Sequence, residues 1–409
     1  MKKYALVISV VIATSACLQT AAAQITINLP KLPKVGKQKP DRPSTDTATT
    51  DVSGNGNGSN GLTKANSKLI YEPQRPNATP VLVKTSVYVQ AKVHDEYWKM
   101  PGQPYSSWVP SLRFDSFYNN EKSLNYQVAY FNSDGSPWYT EKLEQGTAGA
   151  DRTVRFQSPS PYGGVLDTKS TNGTGVYSFK ITDLDRNSVI YEGKFTVGKF
   201  GKTSNPRERN KVDFFVDHDW LMPFASIGFH HSLDEIGGMP PLVSVWLKGP
   251  VEASELEGRV FYKGQQIAST KDKDGSSGVS DYDERMSEYA PPFAPEKRWK
   301  RWEFQWGNFL YDNNGSFNHD NYPKAHYVDK NPGDYVVKIF RNGEQIRELS
   351  FSIGADGRVV VPAYMSGTFL PYYRVLLPAK VLGTSEKWNV TAWKTEAFYG
   401  NPLPGFTGQ

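Results

Sequence analysis

The chain reads as an all-β protein of two tandem antiparallel β-sandwiches produced by an internal duplication, and three observations predict this. Aromatic residues are 13% of its 409 residues, beside 35 Gly and 28 Pro, which suits short strands joined by turns better than long helices. A stretch of alternating apolar side chains occurs twice, with the same kinds of neighbours in the same order. The single cysteine lies at position 17, ahead of both copies, so each core must hold without a disulfide.

Residues 1–23 have the layout of an export signal. Lys2 and Lys3 precede an apolar run, Ala5 to Ala13, too short to span a bilayer, and Ala21-Ala22-Ala23 offers small residues before Gln24. The mature protein is therefore expected in the periplasm, at the cell surface or outside the cell. Cys17 follows Thr14-Ser15-Ala16, which resembles a bacterial lipoprotein processing site except that Thr14 stands where Leu, Val or Ile is usual. Cys17 is thus the lipidation candidate, the alternative being an inert residue of the discarded signal. No later stretch has the roughly 20 apolar residues of a transmembrane helix.

Residues 24–79 are rich in Pro, Lys, Thr, Gly and Asn, as in Ser53-Gly54-Asn55-Gly56-Asn57-Gly58. With few apolar side chains to offset the entropy of ordering, this segment is expected to be a disordered linker. The chain's net charge is +5, yet residues 24–80 hold eight Lys/Arg against four Asp/Glu and the signal adds two lysines, leaving 81–409 at −1. A near-neutral globular part argues against a nucleic-acid partner, which would call for a basic face.

The repeat is expected over 80–200 and 211–356, the second copy carrying loop insertions. Gly175-Val176-Tyr177-Ser178-Phe179-Lys180-Ile181 matches Gly333-Asp334-Tyr335-Val336-Val337-Lys338-Ile339, and Ile190 to Gly198 matches Ile346 to Gly354. Each pair reads as a hairpin closed by Asn, Asp or Gly residues that tolerate positive φ. Upstream, His94-Asp95 with Trp98-Lys99-Met100-Pro101 aligns with His218-Asp219 and Trp220-Leu221-Met222-Pro223. Pro110-Ser111-Leu112 aligns with Pro240-Pro241-Leu242, and Val128-Ala129-Tyr130 with Val260-Phe261-Tyr262. Residues 357–409 fall outside the repeat and are expected to pack on its second copy through Trp388, Trp393, Phe398 and Tyr399, with Ser385 to Tyr399 read as a helix or, alternatively, Trp388 to Trp393 as an alternating strand.

The ending Gly-x-Tyr-x-(Phe/Val)-Lys-Ile, turn, Ile-x-Glu-x-x-Phe-x-(Val/Ile)-Gly resembles the last two strands of immunoglobulin-like or fibronectin-like domains of secreted bacterial proteins. The resemblance covers about 25 residues per copy and lacks the Cys and Trp pattern of antibody domains. It implies two-sheet sandwiches with a binding or spacer role.

Chemistry-bearing groups are few. Asp217-His218-Asp219 and His230-His231 mix metal-ligand types, but neighbours on a strand point to opposite faces, so few would converge; a polar strand end before a buried Trp is the simpler reading. Asp272-Lys273-Asp274-Gly275, followed by Asp281, Asp283 and Glu284, offers oxygen ligands for calcium without the spacing of an EF-hand; a solvated loop explains it equally. In Lys297 to Trp306, strand geometry puts Trp302, Phe304 and Trp306 on one face beside Trp299, as a sugar-stacking platform or as core. Trp98 and Trp220 are the other stacking candidates. No Gly-x-Ser-x-Gly, His-Glu-x-x-His or phosphate-cradling loop is present. The expectation is a non-catalytic secreted or envelope module, structural or adhesive, that needs no cofactor and meets an envelope component, polysaccharide or protein. A carbohydrate-binding protein and a metal-dependent hydrolase are the rivals.

Overall fold

The computed structural model describes residues 80–95, 106–117, 124–148, 153–160, 165–201, 212–229, 240–272, 277–282, 297–311, 324–365 and 374–407. Cys17 and the segments expected to be an export signal and a linker lie outside these residues. The described chain is almost entirely antiparallel β-structure. Among the described residues no helix is long and apolar enough to cross a membrane.

The first half runs β1 (Val81–Leu82), β2 (Tyr88–Asp95), β3 (Ser106–Phe117), β4 (Tyr126–Phe131), β5 (Pro137–Lys142), β6 (Glu144–Ala148), β7 (Thr153–Gln157), a short helix α1 (Val165–Lys169), β8 (Gly175–Asp183), β9 (Ser188–Gly201) and β10 (Val212–Val216). One sheet orders β3, β7 and β6, with β1 and β2 along the free edge of β3; the other orders β10-β9-β8-β4-β5.

The second half runs β11 (Phe224–Phe229), β12 (Pro241–Lys248), β13 (Leu256–Tyr262), β14 (Gln265–Ser269), β15 (Gly278–Tyr282), β16 (Trp299–Gln305), β17 (Phe309–Leu310), β18 (His326–Tyr327), β19 (Gly333–Arg341), β20 (Glu344–Ile353) and β21 (Val375–Val381). Its strands order β11-β12-β16-β15 and β20-β19-β13-β14, and β21 pairs with both β20 and β11, joining the two sets into nine strands. Apart from β1 and the β17–β18 pair, this is the pairing order of the first half, with β21 where β10 stands and additionally paired with β11.

Period-two alternation sets these strands. In β8, Tyr177, Phe179 and Ile181 are buried while Val176 and Lys180 face out; in β19, Tyr335, Val337 and Ile339 repeat the pattern. Both hairpins turn as the residue types require. Asn342 (φ 50) and Gly343 (φ 87) form a two-residue turn with both residues left-handed, whereas the longer first turn has Asn187 at φ 49 and Arg186 N–H donating to Asp183 Oδ1 at 3.0 Å.

Three expectations need correction. Residues 212–216 pair with β9, so they complete the first half and do not open the second. Trp98 to Pro101 follow β2, but Trp220 to Pro223 precede β11, the counterpart of β2; that match is not one of equivalent positions. Val128 and Val260 do lie on counterpart strands, yet Val128 pairs with Ile181 while the partner of Ile339 is Gly258, so the alignment slips by two residues. A slip of two keeps every side chain on its own face, and for that reason alternation alone does not reveal it.

The tail also departs from expectation. Among the described residues its only α-helix is α2 (Ala392–Thr395), and Phe398, Tyr399 and Gly400 then take φ of 48°, 61° and 92°. Left-handed backbone costs roughly 1–2 kcal/mol per non-glycine residue, so tertiary packing must hold the two aromatic residues there. Ala397, Phe398, Tyr399, Leu403 and Phe406 belong to the first half's core, not to the second half's alone. Gly193 on β9 makes room: a Cβ there would lie 2.6 Å from the Phe179 ring and 2.8 Å from Tyr399 Cβ.

Candidate functional site

The outer face of β11, β12 and β16 packs toward the first half. The register Lys248↔Trp299, Trp246↔Arg301, Ser244↔Glu303 places these side chains on that face, opposite to Val243, Val245, Trp302 and Phe304 in the core. At one end the junction is closed by buried ions. Asp219 accepts from Lys248 Nζ (2.6 Å) and Trp299 Nε1 (3.0 Å) at Oδ1, and from the Asn389 backbone N–H (2.6 Å) at Oδ2. Arg347 is fully buried, pairs with Glu386 Oε2 at 2.5 Å and donates to Trp246 O at 3.0 Å, while Glu386 Oε1 accepts Lys248 N–H at 2.8 Å.

Beside them Tyr399 OH accepts Val89 N–H at 2.7 Å and lies 3.2 Å from His218 Nε2. Tyr191 OH donates to Phe398 O. The His218 ring stacks on Tyr88 at 4.7 Å, and burial pushes its pKa down to about 3, so the imidazole is neutral at physiological pH. Tyr191 and Arg347 occupy matching places, opposite Ile181 on β8 and Ile339 on β19, and each grips the tail.

These placements decide the candidate residues. Trp220, Trp299, Trp302 and Trp306 are 3%, 4%, 2% and 0% exposed, so they form no stacking platform for a sugar. Trp302 and Trp306 fill the second core, Trp306 Nε1 donating to Gly258 O at 2.9 Å, and Trp299 is buried in the junction, its ring 5.9 Å from Phe215. Trp98, His230, His231 and Asp274 lie outside the described residues.

Asp219 has both oxygens engaged by donors. Asp217 accepts Asp219 N–H at 2.9 Å, and Asp272 accepts Ser269 N–H at 2.8 Å as a turn residue. Among the described residues no three His, Cys, Asp or Glu side chains gather as metal ligands would. Asp217 also lines a recess with Glu396, Lys194 and Tyr399. Burial raises both carboxyls, with the charge of Asp219 adding to the shift of Asp217 and that of Asp217 to the shift of Glu396.

Sequence reasoning passed over Arg347, although a signal existed. It falls in phase with Leu349, Phe351 and Ile353, where alternation calls for an apolar side chain.

The other end of the junction is open. A groove of about 160 Å³ lies between the halves, floored by Trp220, Phe224 and Trp246 and flanked by Arg113, Arg155, Arg301 and Arg374. Arg155 Nε donates to Asp115 Oδ1 at 3.0 Å, Arg301 and Arg374 both reach Glu303 Oε1 at 3.3 Å, and the Arg113 guanidinium sits 5.1 Å over the Tyr88 ring.

One further buried carboxyl lies inside the first half. Glu141 accepts from Ser158 Oγ at 2.5 Å and Tyr130 OH at 3.3 Å, yet burial pushes its pKa up to about 7. From its ordinary 4.5 to about 7, the folded chain holds a proton that the unfolded chain releases, so stability falls as pH rises through that window, by roughly 3 kcal/mol in all. Glu141→Gln should therefore match the native chain at pH 4 and exceed it by about that amount at pH 8 in urea titrations. Equal stabilities at pH 8 would refute the assignment.

No protein-family model, curated protein or solved structure matches this chain.

Proposed function

We propose that the chain is a non-catalytic envelope module: two immunoglobulin-like sandwiches, related by duplication, joined into one stiff unit and carried on the 24–79 linker after export. The carrying observation is the junction, where the tail grips β9 through Tyr191 and β20 through Arg347 and so couples both halves. A hinged pair of domains would not place two ion pairs and Tyr399 in its joint. The immunoglobulin-like assignment is supported by the orders β2-β3-β7-β6 with β9-β8-β4-β5 and β11-β12-β16-β15 with β20-β19-β13-β14. On this reading the first domain runs to β10 and the second from β11 to β21. Export rests on the Lys2-Lys3 signal pattern, and lipidation at Cys17 on its resemblance to a processing site. The partner is an envelope component, polysaccharide or protein.

The test is co-sedimentation of the purified chain with peptidoglycan sacculi, anionic phospholipid vesicles and extracted envelope polysaccharide, with assay of released sugars and fatty acids. Retention on one fraction without any release is expected. Chain-dependent release of soluble product would refute the non-catalytic reading in favour of a hydrolase. Mass spectrometry of the mature N-terminus reads the fate of Cys17 directly.

A further inference from the structure

We propose that Lys248 and Asp219 condense into an amide that ties the two halves of the chain covalently, with Asp217 carrying the protons. This self-modification goes beyond the function above, because it needs neither a partner nor a substrate.

Three observations converge on it. The first is the buried pair itself. Asp219 opens the single turn Asp219–Leu221 between β10 and β11, where one half gives way to the other, and Lys248 ends β12 in the second half. Lys248 Nζ lies 2.6 Å from Asp219 Oδ1, and the two side chains are 9% and 6% exposed. Among the described residues the amine meets one hydrogen-bond acceptor, that oxygen, and otherwise the face of the Trp299 ring at 4.8 Å. An ammonium brings three N–H donors, so one acceptor leaves it under-bonded. A proton passed from Nζ to Oδ1 leaves an amine beside a carboxylic acid, with no charge to keep out of water. The second observation is the set of donors on the carboxyl: Trp299 Nε1 at 3.0 Å from Oδ1 and Asn389 N–H at 2.6 Å from Oδ2. Both draw electrons from Cγ, and the Asn389 N–H is in place to hold the charge that gathers on Oδ2 when an amine adds to that carbon. The third is Asp217, which accepts Asp219 N–H at 2.9 Å and feels the charges of both Asp219 and Lys248. Burial and the Asp219 charge favour its protonated form, so it can give a proton and take one back.

The step balances without a co-reactant. Nζ adds to Cγ, the Asp217 carboxyl protonates the departing Oδ1 hydroxyl, the Cγ–Oδ1 bond breaks, and one water leaves. Asp217 recovers its proton from Nζ, and the Nζ–Cγ amide remains. Folding holds amine and acid side by side, which supplies the encounter that free groups would lack.

Mass spectrometry of the purified full chain after incubation at neutral pH tests this. The intact mass should be one water below that calculated between its own sequenced termini, and a protease digest should contain a branched peptide joining Lys248 to Asp219. Lys248→Arg and Asp219→Ala should each restore the full mass. Asp217→Asn keeps an oxygen for the Asp219 N–H and should slow linkage about a hundredfold, read as the linked fraction against time after synthesis. Full mass in the native chain with Lys248 and Asp219 in separate peptides, or a water lost at another pair of residues, would overturn the proposal. Both results are read on the native chain, so they hold even where a variant fails to fold. Linkage at the native rate in Asp217→Asn would overturn the proton-carrying role of Asp217.

Discussion

Arg347→Ala is expected to lower the stability of the chain by about 3–5 kcal/mol, measured as a shift in urea midpoint at constant slope. The guanidinium is fully buried against Glu386, so its loss strands a desolvated carboxylate and leaves Trp246 O without its donor. Glu386→Ala should be comparably damaging, since it strands the arginine and also frees Lys248 N–H. The double variant Arg347→Met with Glu386→Gln distinguishes a stranded charge from lost packing. It removes both charges while the glutamine keeps an oxygen for Lys248, and it should be less destabilised than either alanine variant. A cost below about 1 kcal/mol for Arg347→Ala would show that the pair is hydrated in solution and that the junction is looser than described.

Tyr399→Ala should cost about 4 kcal/mol, the range for deleting a large buried aromatic side chain. The ring packs edge-on against Phe179, 5.7 Å away, and its hydroxyl is the acceptor for Val89 N–H. Tyr399→Phe keeps the ring and should cost about 1–3 kcal/mol, the penalty for leaving that buried N–H unmatched. Because Phe398 and Tyr399 hold left-handed backbone only through this packing, Tyr399→Ala should also speed amide exchange across 392–403 well beyond the rest of the chain. Exchange that stays uniform would mean that the tail is fixed from the second half alone.

Much of the β-architecture was legible in the sequence. Alternation along Tyr177, Phe179 and Ile181 and along Tyr335, Val337 and Ile339 identified the two hairpins, and Asn342-Gly343 marked a turn, because those signals act between near neighbours. The Trp-rich strand was legible in part. Its alternation placed Trp302, Phe304 and Trp306 together, but whether that face met water or core depended on the sheet opposite. Trp299 shows the limit more sharply, since it points the other way and is nonetheless buried, under the first half.

What the sequence by itself determined is the strand pattern, the turns and the absence of any cysteine from the cores, all properties of residues close along the chain. Only the tertiary structure decided that β10 and β21 complete their respective halves, that Tyr191 and Arg347 grip one tail, and that four arginines from distant parts of the chain line one groove. Those relations join positions 200 residues and more apart, as between Tyr191 and Phe398, and no local periodicity carries them. The physical reason is that burial and charge pairing depend on which surfaces meet, and surfaces meet only once the chain has closed on itself.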